Sequence, residues 1–221
     1  MAGIATRTRL AVLATCAAAT GAFVPIAAPT PAAGIVQINA TIASGSSLLL
    51  SPIVGAAVTP SGRGYWRVAR DGTVFATGDA HLYGMAAGML NNGIVGIAAT
   101  PTGLGYWLAD TKGWVYAFGD ASKHGSLRGT ALRYAIVGIA GKPDGTGYWL
   151  VARNGSVFGF NAPFYGSTSK LTLSYPIVGM SPVPDGSGYR LVASNGSVFS
   201  FHTVSYGSAS HMSLPKPIVG M

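Results

Sequence analysis

The chain has 221 residues, a formal net charge of +8, nearly half hydrophobic residues and only 9% charged ones. It holds 32 glycines, a single cysteine and no glutamate. This composition, poor in helix formers and rich in glycine and aromatics, argues for strands and tight turns.

Arg7 and Arg9 precede an uncharged, alanine-rich run that begins at Leu10, and no further charge occurs before Arg63. A basic start, a short apolar core and small residues near Ala27–Ala28 or Ala32–Ala33 predict a secretory signal peptide over residues 1–33. Leu10–Ala28 is long enough to span a bilayer, but Gly21, Pro25 and its many alanines make a weak anchor. We therefore expect secretion with no membrane span after cleavage. Cys16 falls inside this segment, and "LATC" is only a faint lipoprotein box. The mature domain then holds no cysteine, so core packing alone must stabilise it. Residues 34–51 read as a leader or partial strand. Removing Arg7 and Arg9 lowers the charge to +6, and the remaining basic residues are scattered, which gives nucleic-acid binding no support. Mild attraction to an anionic wall or lipid surface is compatible with that charge, although ordinary solubilising charge explains it as well.

From there the chain repeats itself. "IVG" begins at Ile53, Ile94, Ile136, Ile177 and Ile218. Tyr65, Tyr106, Tyr148 and Tyr189 follow glycine in the first four copies, and Phe75, Tyr116, Phe158 and Phe199 recur later in each. "YG" then occurs at Tyr83, Tyr165 and Tyr206, with His124 standing in for tyrosine in the second copy. The repeats span 52–92, 93–134, 135–175 and 176–216, and 217–221 opens a fifth.

Each copy parses into an apolar strand, a turn, a second strand, a two-residue turn and a third strand. A segment such as "VSYGSAS" supplies a fourth. Asp71-Gly72, Asn154-Gly155 and Asn195-Gly196 at the hairpin predict type I′ turns, with Lys112-Gly113 fitting less well. That turn pairs Val151 with Phe158 and Trp149 with Phe160, leaving Tyr148, Leu150, Ala152 and Val157 on the other face. Both faces are apolar, so each sheet must be covered on both sides. Four-stranded units of about 41 residues stacked face to face predict an all-β fold of β-propeller blades, as an open arc or a small closed ring. A β-solenoid is the rival, but its coils are shorter and lack an inner hairpin.

The stretch "IVGIAGKPDGTGYWLVARNGSVFGFNAPFYGS" resembles a repeat of secreted and cell-surface proteins of high-GC Gram-positive (actinobacterial) bacteria. The likeness covers residues 52–221. It implies a propeller-like fold in arrays that are often appended to cell-wall hydrolases, peptidases or esterases. No catalytic domain of that kind is visible in this sequence.

Internal comparison singles out the ends. Arg67 stands where the third copy has Leu150, and Arg190 where it has Trp149, which places the two arginines on opposite faces of their sheets. Charged capping of the outer faces of an open arc explains both, while Thr77, in the Phe160 position, sits poorly with it. A closed ring of four, a ring completed by pairing "PIVGM" with residues 35–50, and a fragment of a longer array are the other readings.

Little points to catalysis. Glycoside hydrolysis needs two carboxylates at a set separation. The six aspartates instead sit by glycines in turns (Asp71, Asp144, Asp185), at a strand end (Asp110), or in a "GDA" slot (Asp79, Asp120) that Asn161 and His202 fill in later copies. His81, His124, His202 and His211 form no metal-binding pair, and no calcium loop, serine elbow or phosphate-cradling glycine motif occurs. We expect no enzyme activity, metal or cofactor. The repeated tyrosines and tryptophans read as core between blades. Trp114, whose equivalents are Thr73, Ser156 and Ser197, is the best ligand contact, and Arg67 and Arg190 are further candidates. The expected role is a surface-binding or scaffold module for cell-wall glycan or another surface protein. The alternative is an accessory or truncated fragment of a larger hydrolase or esterase. Oligomeric state is left open.

Overall fold

The computed structural model describes residues 51–90 and 92–221. The signal peptide (1–33), Cys16, the leader up to residue 50 and any pairing of residues 35–50 with the C-terminal "PIVGM" lie outside the described residues.

Twelve strands form four separate antiparallel meanders. The first contains β1 (Ile53–Val58), β2 (Tyr65–Ala69) and β3 (Val74–Thr77). The second contains β4 (Ile94–Ala99), β5 (Gly105–Asp110) and β6 (Val115–Gly119). The third contains β7 (Ile136–Gly141), β8 (Tyr148–Ala152) and β9 (Val157–Phe160), and the fourth β10 (Ile177–Pro182), β11 (Tyr189–Ala193) and β12 (Val198–Phe201). The "IVG" strands are innermost: β1 lies beside β4, β4 beside β7, and β7 beside β10. Glycine at the third position permits this, since a Cβ on Gly55 would come within 3.2 Å of the Gly96 Cα. Together with Val219–Met221 these strands line an open concavity of about 750 Å³. This is the blade arrangement of a propeller. Its ring is not closed: among the described residues the first and fourth sheets do not pack together as neighbouring blades do.

Three seams hold the blades together, each built the same way. The Trp66 and Val68 face of the first sheet meets Tyr106 and Leu108 of the second. Trp107 and Ala109 meet Tyr148 and Leu150, and Trp149 and Val151 meet Tyr189 and Leu191. All three tryptophans and these three tyrosines are fully buried. Their rings sit 5.6, 5.5 and 5.7 Å apart, at tilted or edge-on angles that suit aromatic quadrupoles. Emptying such a seam by Trp→Ala costs about 3–5 kcal/mol, a large share of a domain's stability.

The expected four-stranded blade is corrected here: each sheet has three strands. The segment after the third strand does not join the ladder because its backbone groups are bound elsewhere. The indole N–H groups of Trp66, Trp107 and Trp149 donate at 2.7 Å to the carbonyls of His81, Ser122 and Pro163. The buried tyrosine of the following blade then takes the "YG" dipeptide. The Tyr106, Tyr148 and Tyr189 hydroxyls donate to the carbonyls of Gly84, Gly125 and Gly166 at 2.5–2.6 Å. They also accept from the N–H groups of Tyr83, His124 and Tyr165. Burial pushes the Tyr106 phenol up to about 12, so it stays protonated and able to donate.

The hairpin register is also corrected. Leu150 pairs with Phe158 and Tyr148 with Phe160, one residue away from the type I′ expectation. Only Gly155 takes a left-handed φ (+77°), not Asn154. The Gly155 N–H donates to the Ala152 carbonyl, and the Ala152 N–H to the Ser156 carbonyl. That is a type I turn followed by a glycine bulge, a three-residue loop. Since side chains alternate with period two, the one-residue shift moves both phenylalanines to the tyrosine face.

Two outcomes follow from the seams. Tyr148→Phe leaves the Gly125 carbonyl and the His124 N–H without their partner, so urea unfolding should show a loss of about 1–3 kcal/mol. Tyr65, 39% exposed and with no such hydrogen bonds, should tolerate the same change nearly neutrally. The Tyr83 and Tyr165 hydroxyls reach the Gly103 and Gly186 carbonyls of the next blade, whereas His124, in their slot, leaves its Nε2 buried without a partner. His124→Tyr should therefore raise stability by about 1 kcal/mol in the same assay.

Candidate functional site

Seams consume most of the aromatic surface, so candidate contacts lie where a copy departs from the repeat. Three places do: the free face of the first sheet, the hairpin of the second, and the free face of the fourth.

On the first sheet Val58, Tyr65 and Thr77 are direct cross-strand neighbours, as are Ala56, Arg67 and Phe75. No sheet covers this face among the described residues, and Val58 is 63% exposed. The Arg67 guanidinium lies 5.7 Å from the Tyr65 ring centre and 5.8 Å from that of Phe75, with its Nε buried and unpartnered. The corrected register places Thr77 on this open face rather than in a seam. A threonine there in place of phenylalanine is what solvent exposure favours, so the objection raised by the type I′ register disappears.

In the second hairpin, Asp110 occupies a position that is alanine in the other copies, at Ala69, Ala152 and Ala193. It is fully buried, and one carboxylate oxygen accepts the backbone N–H groups of Lys112 and Trp114 at 2.8 and 2.9 Å. The other oxygen faces the Asn92 amide at 3.4 Å. Elsewhere Asp71, Asn154 and Asn195 accept an N–H from within the turn itself. Asp110 thus explains how Lys112 is tolerated where the other copies need Asn or Asp. Trp114 is half-buried, and the Arg128 guanidinium lies 4.3 Å over its ring. Tyr116 is nearby. Burial first and the Asp110 charge second push its phenol up, and its hydroxyl has no partner.

On the fourth sheet, Ser181, Arg190 and Ser200 form one cross-strand row. The matching rows are Ala57–Trp66–Ala76, Ala98–Trp107–Ala117 and Ala140–Trp149–Gly159. Arg190 imitates the indole: its Nη2 donates to the Val204 carbonyl at 3.0 Å, as Trp149 does to Pro163, and to Thr203 Oγ1 at 3.0 Å. The guanidinium lies 4.9 Å from the Tyr206 ring centre. Tyr206 is 84% exposed. The sequence singles out Trp114, Arg67 and Arg190; the structure adds Asp110 and Arg128 as neighbours of Trp114, and Ser181, Ser200 and Tyr206 as neighbours of Arg190. The serine row was legible by comparing copies; the Arg128 stack was not, because its residues come from separate segments.

The "GDA" slot needs correction. Asn161 and His202 carry positive φ (49° and 55°), as Gly78 and Gly119 do. They therefore match the glycines, and Ala162 and Thr203 fill the aspartate position. Asp79 and Asp120 staple the β1–β2 and β4–β5 turns, accepting from Thr59 and Ser61, and from Thr100 and Thr102. In the last two copies the carboxylate has moved into the turn as Asp144 and Asp185, each holding the hydroxyl and N–H two residues on. The Ser61 hydroxyl, then that of Thr59, holds the Asp79 carboxyl below its ordinary range. Asp185 is lowered first by the Ser187 N–H. Asp144 falls to about 2, chiefly through Lys142, 2.6 Å away. His202 stacks on Tyr165, with centroids 5.3 Å apart. Among the described residues no three His, Cys, Asp or Glu side chains cluster to hold a metal.

A carboxyl depressed by folding stabilises the fold above its ordinary range, near pH 4, and that contribution is lost as pH falls through the folded value. Thermal melts should show Asp144→Asn losing less stability than the parent between about pH 4 and pH 2.

No family model matches this sequence, and no curated protein matches it. Among solved structures the chain is similar to the β-propeller domain of Cps50 (Swd1) from Myceliophteria thermophila. Identity is 12% and the TM-score 0.43, over 68% of this chain and 54% of that one. The chain thus spans about half the length of that propeller domain.

Proposed function

We propose that this chain is a secreted, non-enzymatic propeller-type repeat module that binds or scaffolds at the bacterial cell surface, with a wall glycan or a surface protein as ligand. One observation carries the reading. Most of the repeated aromatics lie in the seams, while the residues that depart from the repeat (Arg67, Trp114, Arg190) sit on uncovered faces and a hairpin. Such surfaces suit binding: exposed or half-exposed aromatics and arginines are the residue types that dominate recognition. The six aspartates support it too, since turns and backbone N–H groups engage them instead of one another. Secretion rests on residues 1–33, and the cell-surface setting on the repeat's resemblance to secreted surface arrays.

The test is a pull-down of the full-length chain with insoluble cell-wall preparations, combined with a glycan array and an assay for soluble wall fragments. Retention without release of fragments is the expected result. Failure to bind wall, glycans or surface proteins, or release of soluble products by the purified protein, contradicts the reading.

A further inference from the structure

The third and fourth blades share the hairpin sequence Asn-Gly-Ser, at Asn154–Ser156 and Asn195–Ser197, but the segment that runs in against each hairpin differs. Before the third "IVG" strand it carries Ala131, Arg133 and Tyr134; at the same spacing before the fourth it carries Thr172, Ser174 and Tyr175. The Arg133 guanidinium lies 5.5 Å from the Tyr134 ring centre. Tyr175 is 52% exposed, and among the described residues no cation or aromatic ring rests on it. Residues 172–175 and the fourth hairpin frame an open pocket of about 210 Å³. Its wall carries the hydroxyls of Thr172, Ser174 and Ser197, the Asn195 amide and the rings of Tyr175 and Phe199. The Ser197 N–H donates to Asn195 Oδ1 at 3.1 Å. The Asn195 Nδ2 and the three hydroxyls meet no partner among the described residues, and all four groups belong to exposed or half-buried residues. No charged side chain lines the pocket among the described residues. The matching place in the second blade is different: Asp110, Lys112 and Trp114 stand where the fourth has Ala193, Asn195 and Ser197.

We propose that this pocket binds a single neutral pyranose unit of a glycan. Serine and threonine hydroxyls both donate and accept, and an amide nitrogen donates, which matches the mixed donor and acceptor character of sugar hydroxyls. The open Tyr175 ring supplies a flat apolar surface for the C–H face of the sugar. A pocket of about 210 Å³ is smaller than the roughly 300–1,000 Å³ that drug-sized ligands occupy, so it takes one ring rather than a chain. An anionic group gains nothing there, because no cation lines the wall to pair with it. Ser197 keeps the space open, whereas an indole at that position, as in the second blade, takes it up. The inference rests on the binding-module reading and names the kind of ligand unit that one of its pockets accepts.

The test follows backbone amide resonances of the full-length chain during titration with the methyl glycosides of glucose, galactose, mannose and N-acetylglucosamine, and with glucuronate. At least one neutral glycoside should shift the amides of Ser174 and Ser197 with a Kd of about 1 mM, as expected of so small a ligand, and glucuronate should bind no more tightly than the glucoside. Ser197→Trp, the residue of the second copy, should abolish the shifts, and the spectrum itself reports whether the variant is folded. Tyr175→Ala alters an exposed ring and should weaken binding about tenfold; Tyr134→Ala, its counterpart before the third blade, should not. Absence of shifts at these amides with every neutral glycoside up to about 50 mM, binding of glucuronate alone, or parental affinity in both Ser197→Trp and Tyr175→Ala overturns the proposal. If the glycosides fail while cell-wall preparations retain the chain, this pocket fails and the module reading stands. If a glycoside binds and the wall does not, the pocket stands and the cell-surface reading fails.

Discussion

The architecture depends on one arrangement: a buried tyrosine whose ring packs on the previous blade's tryptophan and whose hydroxyl grips the backbone leaving that blade. The ring supplies hydrophobic burial, which sets how strongly sheets adhere. The hydroxyl supplies direction, because it satisfies an N–H and a carbonyl that are otherwise stranded between sheets. With the indole N–H holding a second carbonyl a few residues earlier, the connection between blades is fixed at two points. A fourth strand becomes unnecessary, as the polar groups it would satisfy already have partners.

The same arrangement explains the ends. A seam needs a tryptophan face and a tyrosine face in contact, so each outer sheet of an open arc has one face left over. Both leftover faces carry arginine, at different ladder positions, and both lose seam residues: Thr77 replaces phenylalanine on one, and Ser181 and Ser200 replace alanine or glycine on the other. Repeat arrays need polar outer faces to stay soluble. Joining these two faces would press Arg190 against the Arg67 side with no carboxylate between them, which disfavours head-to-tail stacking of copies. The two uncovered faces thus each place an arginine where the seams have an apolar residue.

Much of this was legible in the residues. The spacing of "IVG" marks four repeats, and apolar residues on both faces of each hairpin require covered sheets. The alternation that set Arg67 and Arg190 on opposite faces survives the register correction, because both lie on second strands. What failed was local. Asn154-Gly155 reads as a two-residue turn until the hydrogen bonds show glycine alone in the left-handed region, acting as a bulge. Asn161 looked equivalent to Asp79 by spacing, yet its φ assigns it to the glycine position. The tyrosine grip was illegible for another reason: a hydroxyl meeting a backbone some twenty-three residues away leaves no trace in periodicity.

Backbone amide hydrogen exchange tests the grip most directly. The account predicts that the amides of Tyr83, Gly84, His124 and Tyr165, which donate to buried tyrosine hydroxyls, exchange slowly although they belong to no strand, while the amide of Tyr206, with no such hydroxyl, exchanges quickly. Equal, rapid exchange at all of these positions would contradict it.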